Sequence, residues 1–338
     1  GKAAHYKDLV AAASLLSVPD EADVRLKAPE QYRLLGQRIS NASAEGIATG
    51  EPIFGIDAQV DGMVYASFVK CPSIGGVAKS ANLEVVKALP GIIDAFILDG
   101  TPGPYNFDIR ESYAIQSGVA IVGKDTWSTF KARETLKVDW DLSTASRDDS
   151  DAIEAEALTA LAAGKVETEI ERAGDVDAAF ANAAMTADAT YSTDFVSHAQ
   201  LEPQGVVISA ATSAVEVWTS SQTPVFVTSN LVKLLDVTPG NILVHQLRGG
   251  GGFGRRLSNE YIHEAALISR RVGAPVKLQW KREDDMAFDY FRAPTYYRLQ
   301  GAISTDGQLT GWKNLVASAY AESKIANYGE GYGPYDVP

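Results

Sequence analysis

The sequence predicts a mixed α/β fold, on three observations. Apolar runs of strand length alternate with amphipathic stretches of helical length from residue 63 onward. Proline and glycine punctuate the changes of period, as at Pro90-Gly91 and from Gly273 to Pro275. At 338 residues, with 46% hydrophobic side chains, the chain is long enough for about two domains with a sizeable core.

Residues 2–33 read as a short helix (6–16) followed by a polar connector broken by Pro19 and Pro29, so that 1–33 stands apart. Residues 34–146 read as one unit: a strand at 63–70, a helix at 83–88 halted by Pro90-Gly91, and a helix at 127–134 leading into a strand at 135–140. The polar, turn-rich run 142–151 predicts a domain boundary, and the alanine-rich stretch 151–163 a solvated connector helix, giving a linker at 147–163. A second unit, 164–338, alternates again through 187–196, 205–210, 214–219, 225–235 and 242–247 to a helix at 258–272 and a strand at 276–280. The helix has Ser258 as its expected N-cap, Glu260 in its first turn, Arg270 and Arg271 in its last, and Gly273 beyond. Tyr261, Ile262, Ala265, Ala266, Ser269 and Val272 form its core stripe, with His263 on the outer half. Thr305-Asp306-Gly307 joins 298–303 to 308–319 as a hairpin. The two large units are expected to be separate compact bodies.

A formal charge of −13 argues against a nucleic-acid partner, because phosphate binding needs a basic surface. The single cysteine, Cys71, excludes an internal disulfide and any multi-thiolate iron–sulfur or zinc site, and reads as a buried thiol. No run is long enough to span a bilayer, and residues 1–30 lack the basic-then-apolar pattern of a signal peptide. The compartment is left open between a bacterial periplasm and cytoplasm.

The run Gly249-Gly250-Gly251-Gly252-Phe253-Gly254 carries the most information, because glycine costs folding entropy and contributes no side chain. A plain turn between strand and helix needs one or two glycines. Gly249, Gly251 and Gly254 also satisfy G-x-G-x-x-G, with a strand after the helix and Glu283 beyond it, which would suit a nicotinamide dinucleotide. A P-loop is excluded, since Arg255-Arg256-Leu257 stands where Lys-Ser/Thr would be required.

Gly250-Gly251-Gly252-Phe253-Gly254, between strand and helix, resembles the molybdopterin-contacting loop of the xanthine dehydrogenase and aldehyde oxidase family. So do Ala274-Pro275-Val276 leading to Arg282-Glu283-Asp284-Asp285-Met286, Val217-Trp218-Thr219-Ser220-Ser221-Gln222, and His198-Ala199-Gln200-Leu201-Glu202-Pro203. The doubled arginine and Phe291-Arg292-Ala293-Pro294 look most like the large subunits of isoquinoline 1-oxidoreductase and related aldehyde dehydrogenases. Gly50-Glu51-Pro52-Ile53-Phe54-Gly55, Gly62-Met63-Val64-Tyr65-Ala66 and Leu89-Pro90-Gly91-Ile92 resemble the family's hammerhead α/β domain. The resemblance therefore implies a hammerhead-type domain at 34–146 followed by the first half of a molybdopterin-binding domain at 164–338.

It also implies oxidative hydroxylation of a small N-heteroaromatic compound or aldehyde, with oxygen from water. The molybdenum would be held by the pterin dithiolene, with no direct protein ligand, and the pterin would be the cytosine dinucleotide form. Gln222 matches the glutamine that donates to an oxygen on molybdenum, and the Phe253 and Gly254 amides match the backbone donors beside it. Gly250, Gly251, Gly252, Phe253, Gly254, Arg255 and Gln222 are the expected cofactor contacts. Electrons would leave through a small subunit carrying 2Fe–2S clusters, with a cytochrome c as a further acceptor. Leu257 stands where purine-oxidising members carry a glutamate, which turns the expectation away from purines. The family's general base lies in a Gly-x-Gly-Glu segment that this sequence lacks, and neither Glu322 nor Glu330 has that setting. The chain is thus expected to be an interior portion of a large subunit, needing the rest for turnover. Two other readings are kept: an NAD(P)-dependent oxidoreductase, and an accessory module of the same fold without catalysis.

The remaining polar residues have plainer expectations. Gln222 before Thr223-Pro224 would also serve as a turn cap. Arg255 and Arg256 would pair with phosphates, with solvent or with Glu260. His198 and Glu202 suggest a structural hydrogen bond, because Pro203 argues against a metal pair on a helix, and Glu283-Asp284-Asp285 reads as a solvated turn.

Overall fold

The computed structural model describes residues 3–51, 54–101, 114–164 and 166–318. The contacts divide the chain into two units, 1–51 and 52–338. Among the described residues the first holds two α-helices, α1 (Tyr6–Ala13) and α2 (Ala44–Thr49), the latter closed by Gly50 in the left-handed conformation.

The second unit runs β1 (Val64–Lys70), β2 (Val77–Ala81), α3 (Leu83–Lys87), β3 (Ile92–Leu98), β4 (Gly118–Gly123), α4 (Thr126–Ala132) and β5 (Val138–Asp141), then α5 (Ser150–Ala162) and α6 (Val176–Ala181). It continues through β6 (Met185–Thr193), β7 (Gly205–Ser209), β8 (Val215–Thr219), α7 (Pro224–Leu235), β9 (Ile242–Gln246), α8 (Glu260–Val272), β10 (Val276–Gln279), α9 (Arg282–Ala287), β11 (Thr295–Ile303) and β12 (Leu309–Ser318). The seven-stranded sheet has the order β3-β4-β1-β10-β7-β8-β9, with β1–β10 and β8–β9 parallel and the other neighbours antiparallel. β12-β11-β6 form a second sheet, covered by α5 and α6, and β2 pairs with β5. The expected hairpin is β11–β12; Glu322 and Glu330 lie outside the described residues.

The expectation of two separate bodies divided near 147–163 is corrected by this sheet. Val64 in β1 pairs with Val276 in β10, and Ala66, Phe68, Phe96, Ala120 and Val122 share one core with Val206, Ile208, Tyr261, Ile262 and Leu278. Alternation along β4 explains why burial on both faces is needed: Ala120 and Val122 enter that core, whereas Ile121 packs with Val86, Ala95 and Ala132 under α3 and α4. A polar boundary run marks a surface loop; it does not tell whether the strands on either side later pair.

Helix α8 departs from its amphipathic expectation. Tyr261, Ile262, His263, Glu264, Ala265, Ala266, Ile268 and Ser269 are all buried, because α8 packs on β7, β10 and β1 and also against α7. Its N-cap is Asn259, not Ser258, whose buried hydroxyl has no partner among the described residues. Glu264 accepts from Lys70 Nζ at 3.0 Å and from Trp280 Nε1 at 2.9 Å. Burial pushes its carboxyl up to about 7 despite the opposing Lys70 charge.

His263 is the plainer correction: it is fully buried, and neither ring nitrogen has a partner among the described residues. Burial pulls its pKa down to about 4, so below an ordinary value near 6.5 the unfolded chain takes up a proton that the folded one refuses. Stability linked to His263 is therefore complete above about pH 6.5 and is lost as pH falls toward 4. His263→Leu is expected to be at least as stable as the parent at pH 7, and to gain about 2 kcal/mol relative to it at pH 5. Denaturant unfolding of both proteins at the two pH values checks this; a difference that does not change with pH would refute it.

Candidate functional site

The site is built where two parallel strands end side by side. Thr219 at the end of β8 pairs with Gln246 at the end of β9, and Leu247 N–H donates to Thr219 O at 2.8 Å. The segment Ser220-Ser221-Gln222 and the loop from Gly249 to Gly254 therefore leave the same sheet edge, the usual place for ligands in sheets with parallel strands. Between them lies a cleft of about 500 Å³ lined by Ser220, Ser221, Gln222, Gly251, Gly252 and Arg256, together with Gln246 and Gly249.

Gln222 and the loop are brought together as expected. Gln222 Oε1 accepts from the Gly254 and Arg256 amides at 3.2 and 3.3 Å, and its own backbone N–H donates to Arg256 O at 2.9 Å. Both acceptor positions of the carboxamide being taken, its NH2 group is left as the donor, with no partner among the described residues. The glycines are required by proximity and by conformation: a Cβ at Gly252 would stand 2.6 Å from Gln222 Oε1, and Gly254 has φ +102°. Among the described residues the N–H groups of Gly251, Gly252 and Phe253 have no intramolecular acceptor, whereas the Gly254 amide is spent on Gln222. Successive free amides of this kind make a concavity that takes anionic or strongly accepting groups.

A buried ion pair holds the loop from below. Arg256 is 1% exposed and donates to Gly251 O (2.8 Å), Ser220 Oγ (2.8 Å), Gln204 Oε1 (2.9 Å), Glu202 O (2.8 Å) and Glu202 Oε2 (3.1 Å). Glu202 also accepts from the Gly250 and Ile56 amides, confirming it as a structural group. Ser221, Thr223 and Asn259 add a knot of hydroxyl and amide bonds, with Ser221 Oγ to Asn259 Oδ1 at 2.7 Å and Asn259 Nδ2 to Thr223 Oγ1 at 3.1 Å. Thr223 and Asn259 were not singled out as site residues from the sequence; the only signal for them was the density of short polar residues around Gln222.

Arg255 is corrected as a cofactor contact. Its side chain is fully buried away from the cleft, bonded to Glu260 and to Phe288 O and ion-paired with Asp289 at 2.9 Å. Of the three options open to it, the Glu260 pair is the one formed. The acidic trio is corrected too: Asp284 takes both guanidinium nitrogens of Arg133 at 2.5 and 2.6 Å, and Asp285 accepts from Gln200 and Arg282. The dinucleotide reading also fails, because it requires the glycines to open the helix. Here a 3₁₀ turn over Arg255–Leu257 intervenes before α8, and Glu283 lies on α9 and not at the end of β10.

The site fits a cofactor held by hydrogen bonds. Among the described residues no group of three or more His, Cys, Asp or Glu side chains is placed to hold a metal ion, while free amides and the Gln222 NH2 group border one cleft. No described helix is long and apolar enough to cross a membrane.

Comparison with known proteins defines the class. Residues 159–327 match the molybdopterin cofactor-binding domain family, and the chain belongs to that family, among the large subunits of the xanthine dehydrogenase and aldehyde oxidase type. It is similar to the membrane-bound aldehyde dehydrogenase (pyrroloquinoline-quinone) of Gluconacetobacter polyoxogenes, at 30% identity over 96% of this chain and 43% of that one. It is also similar to isoquinoline 1-oxidoreductase subunit beta of Brevundimonas diminuta, at 26% identity over 95% of this chain and 42% of that one. Among solved structures, the aldehyde oxidoreductase of Desulfovibrio gigas shares the fold with a TM-score of 0.64 at 16% identity, covering 92% of this chain and 37% of that one. The chain thus spans less than half the length of these relatives.

Proposed function

We propose that this chain, together with the rest of a large subunit, oxidatively hydroxylates a small N-heteroaromatic compound or aldehyde, with water supplying the oxygen. The amides of Gly251, Gly252 and Phe253 and the carboxamide NH2 of Gln222 would hold the molybdopterin cofactor, read here as its cytosine dinucleotide form. When bound, that group supplies a two-electron acceptor for a carbon centre. Gln222, locked by its two accepted amides, needs no reorganisation to donate into the cleft, and the glycine amides are likewise aimed before anything binds. The match over 159–327 supports reading 164–338 as the first half of the binding domain, and the similarity to a subunit beta supports the presence of a partner subunit, which would carry the electrons onward on 2Fe–2S clusters.

The observation that carries this reading is the meeting of free loop amides and the Gln222 NH2 group on one cleft. Metal and pterin-nucleotide analysis of the purified native protein tests it. Molybdenum in near-stoichiometric amount with a pterin nucleotide is expected. Gly252→Ala, which drives a methyl group into Gln222, is expected to lower that content severalfold. Bound NAD(P), or neither ligand in a protein purified with its complete large subunit, would overturn the reading in favour of the dehydrogenase or accessory module.

A further inference from the structure

On its other side the glycine loop is faced by the turn 197–201, and that turn is built with unusual strain. Ala199 (φ +47°) and Phe253 (φ +55°) are two of the three non-glycine residues with positive φ among the described residues; the third, Asp236, merely closes α7. Strain of this kind persists where the surroundings enforce it, and it gathers at functional sites. In the turn, His198 Nδ1 lies 2.9 Å from Asp289 Oδ1, while Asp289 Oδ2 accepts from Ser197 Oγ and the His198 amide, each at 2.6 Å. Although burial opposes it, these bonds and the nearby Arg255 charge hold the Asp289 carboxyl below the usual range, so it is an acceptor only. His198 Nδ1 must then carry a proton, and in the neutral imidazole it is Nε2 that holds the free lone pair.

That lone pair is not used internally. Among the described residues Nε2 has no hydrogen-bond partner, the side chain is 20% exposed, and Nε2 stands 3.5 Å from where a Cβ on Gly254 would be. Leu257 Cδ1 lies 3.9 Å from the same point, and Phe253 and Leu201 are 77% and 88% exposed beside it. One buried acceptor in the turn, Gln200 Oε1, also lacks a partner. A basic nitrogen flanked by exposed apolar side chains suits a planar aromatic molecule that presents an O–H or N–H group.

We propose that His198, oriented by Asp289, accepts a proton from an aromatic molecule bound against Gly254 and Phe253, and that the turn 197–201 is one wall of its pocket. The proton passes from the O–H or N–H group to Nε2 with no change of electron count at the ring, and Asp289 balances the resulting imidazolium. Arg255, Arg282 and Asp285 are the other charged groups packed around this turn, and each is already paired. The assignment rests on the hydroxylase reading only for the identity of the molecule.

In the full-length protein, His198→Asn keeps a donor where Nδ1 stands and removes Nε2, whereas His198→Gln does the reverse. His198→Asn is expected to match the parent in melting temperature and molybdenum content, yet to lose about 10²-fold or more in kcat/KM and to lose the acid limb of the pH profile. A His198→Asn protein with parental kcat/KM and pH profile would make His198 purely structural and overturn the proposal. A second readout needs no turnover: carbethoxylation mapped by mass spectrometry should modify His198 in the free protein, leave buried His263 untouched, and be blocked by phenol or indole, planar aromatic compounds that present an O–H or N–H group. Modification that neither compound slows would also overturn it. Protection at His198 in a protein without molybdenum-dependent turnover would support the site while sinking the hydroxylase reading.

Discussion

Arg256→Ala is expected to cost about 3–5 kcal/mol of stability, the range for removing one partner of a buried ion pair. The variant strands the Glu202 carboxylate beneath the loop and strips the donors from Gly251 O and Ser220 Oγ at once. Arg256→Lys should recover little, since an ammonium cannot reach acceptors on several sides of a planar fork. Chemical denaturation of the parent, Arg256→Ala, Glu202→Ala and the double variant checks this. The pair predicts strong non-additivity, with the double variant costing far less than the two single losses together. Additive costs would show that Arg256 and Glu202 act independently.

Gln222→Ala in the complete enzyme is expected to slow turnover by about 10²-fold, as for the loss of one preorganised donor. Because Gln222 Oε1 also collects the Gly254 and Arg256 amides, the alanine variant should loosen the loop as well. Gln222→Glu separates the two roles: it keeps the acceptor and loses the NH2 donor. Steady-state rates with isoquinoline, nicotinate and an aromatic aldehyde, read by dye reduction, should fall for both variants. A Gln222→Glu enzyme as fast as its parent would remove the donor role.

Much of this was legible in the chain because it depends on local chemistry. The glycine run, the glutamine after β8 and the strand–loop–helix order around Gly254 are near in sequence, and the structure joins them as expected. What was not legible depends on distant partners. Asp284 and Asp285 looked solvated until Arg133 and Gln200 arrived from remote segments, and of the partners of Arg255 the sequence offered Glu260 but not Asp289. His263 lay on the polar side of a stripe that reckoned on one buried face, whereas α8 is covered on nearly all sides.

The pairing of β1 with β10 joins positions more than half the chain apart, and it places an order on the life of the molecule. During synthesis β1 and β4 precede β10, and the strand that completes them arrives only after the site-bearing strands β7, β8 and β9 have been made. Until then β1 carries an open hydrogen-bonding edge in an apolar setting, the kind of surface on which nascent chains associate with one another. Closing so long a loop is also slow, because its entropy is lost before the contacts that repay it are formed. The pairing that completes the sheet therefore waits until after the strands of the glycine cleft have been made, and a polypeptide halted before β10 emerges would keep the β1 edge open.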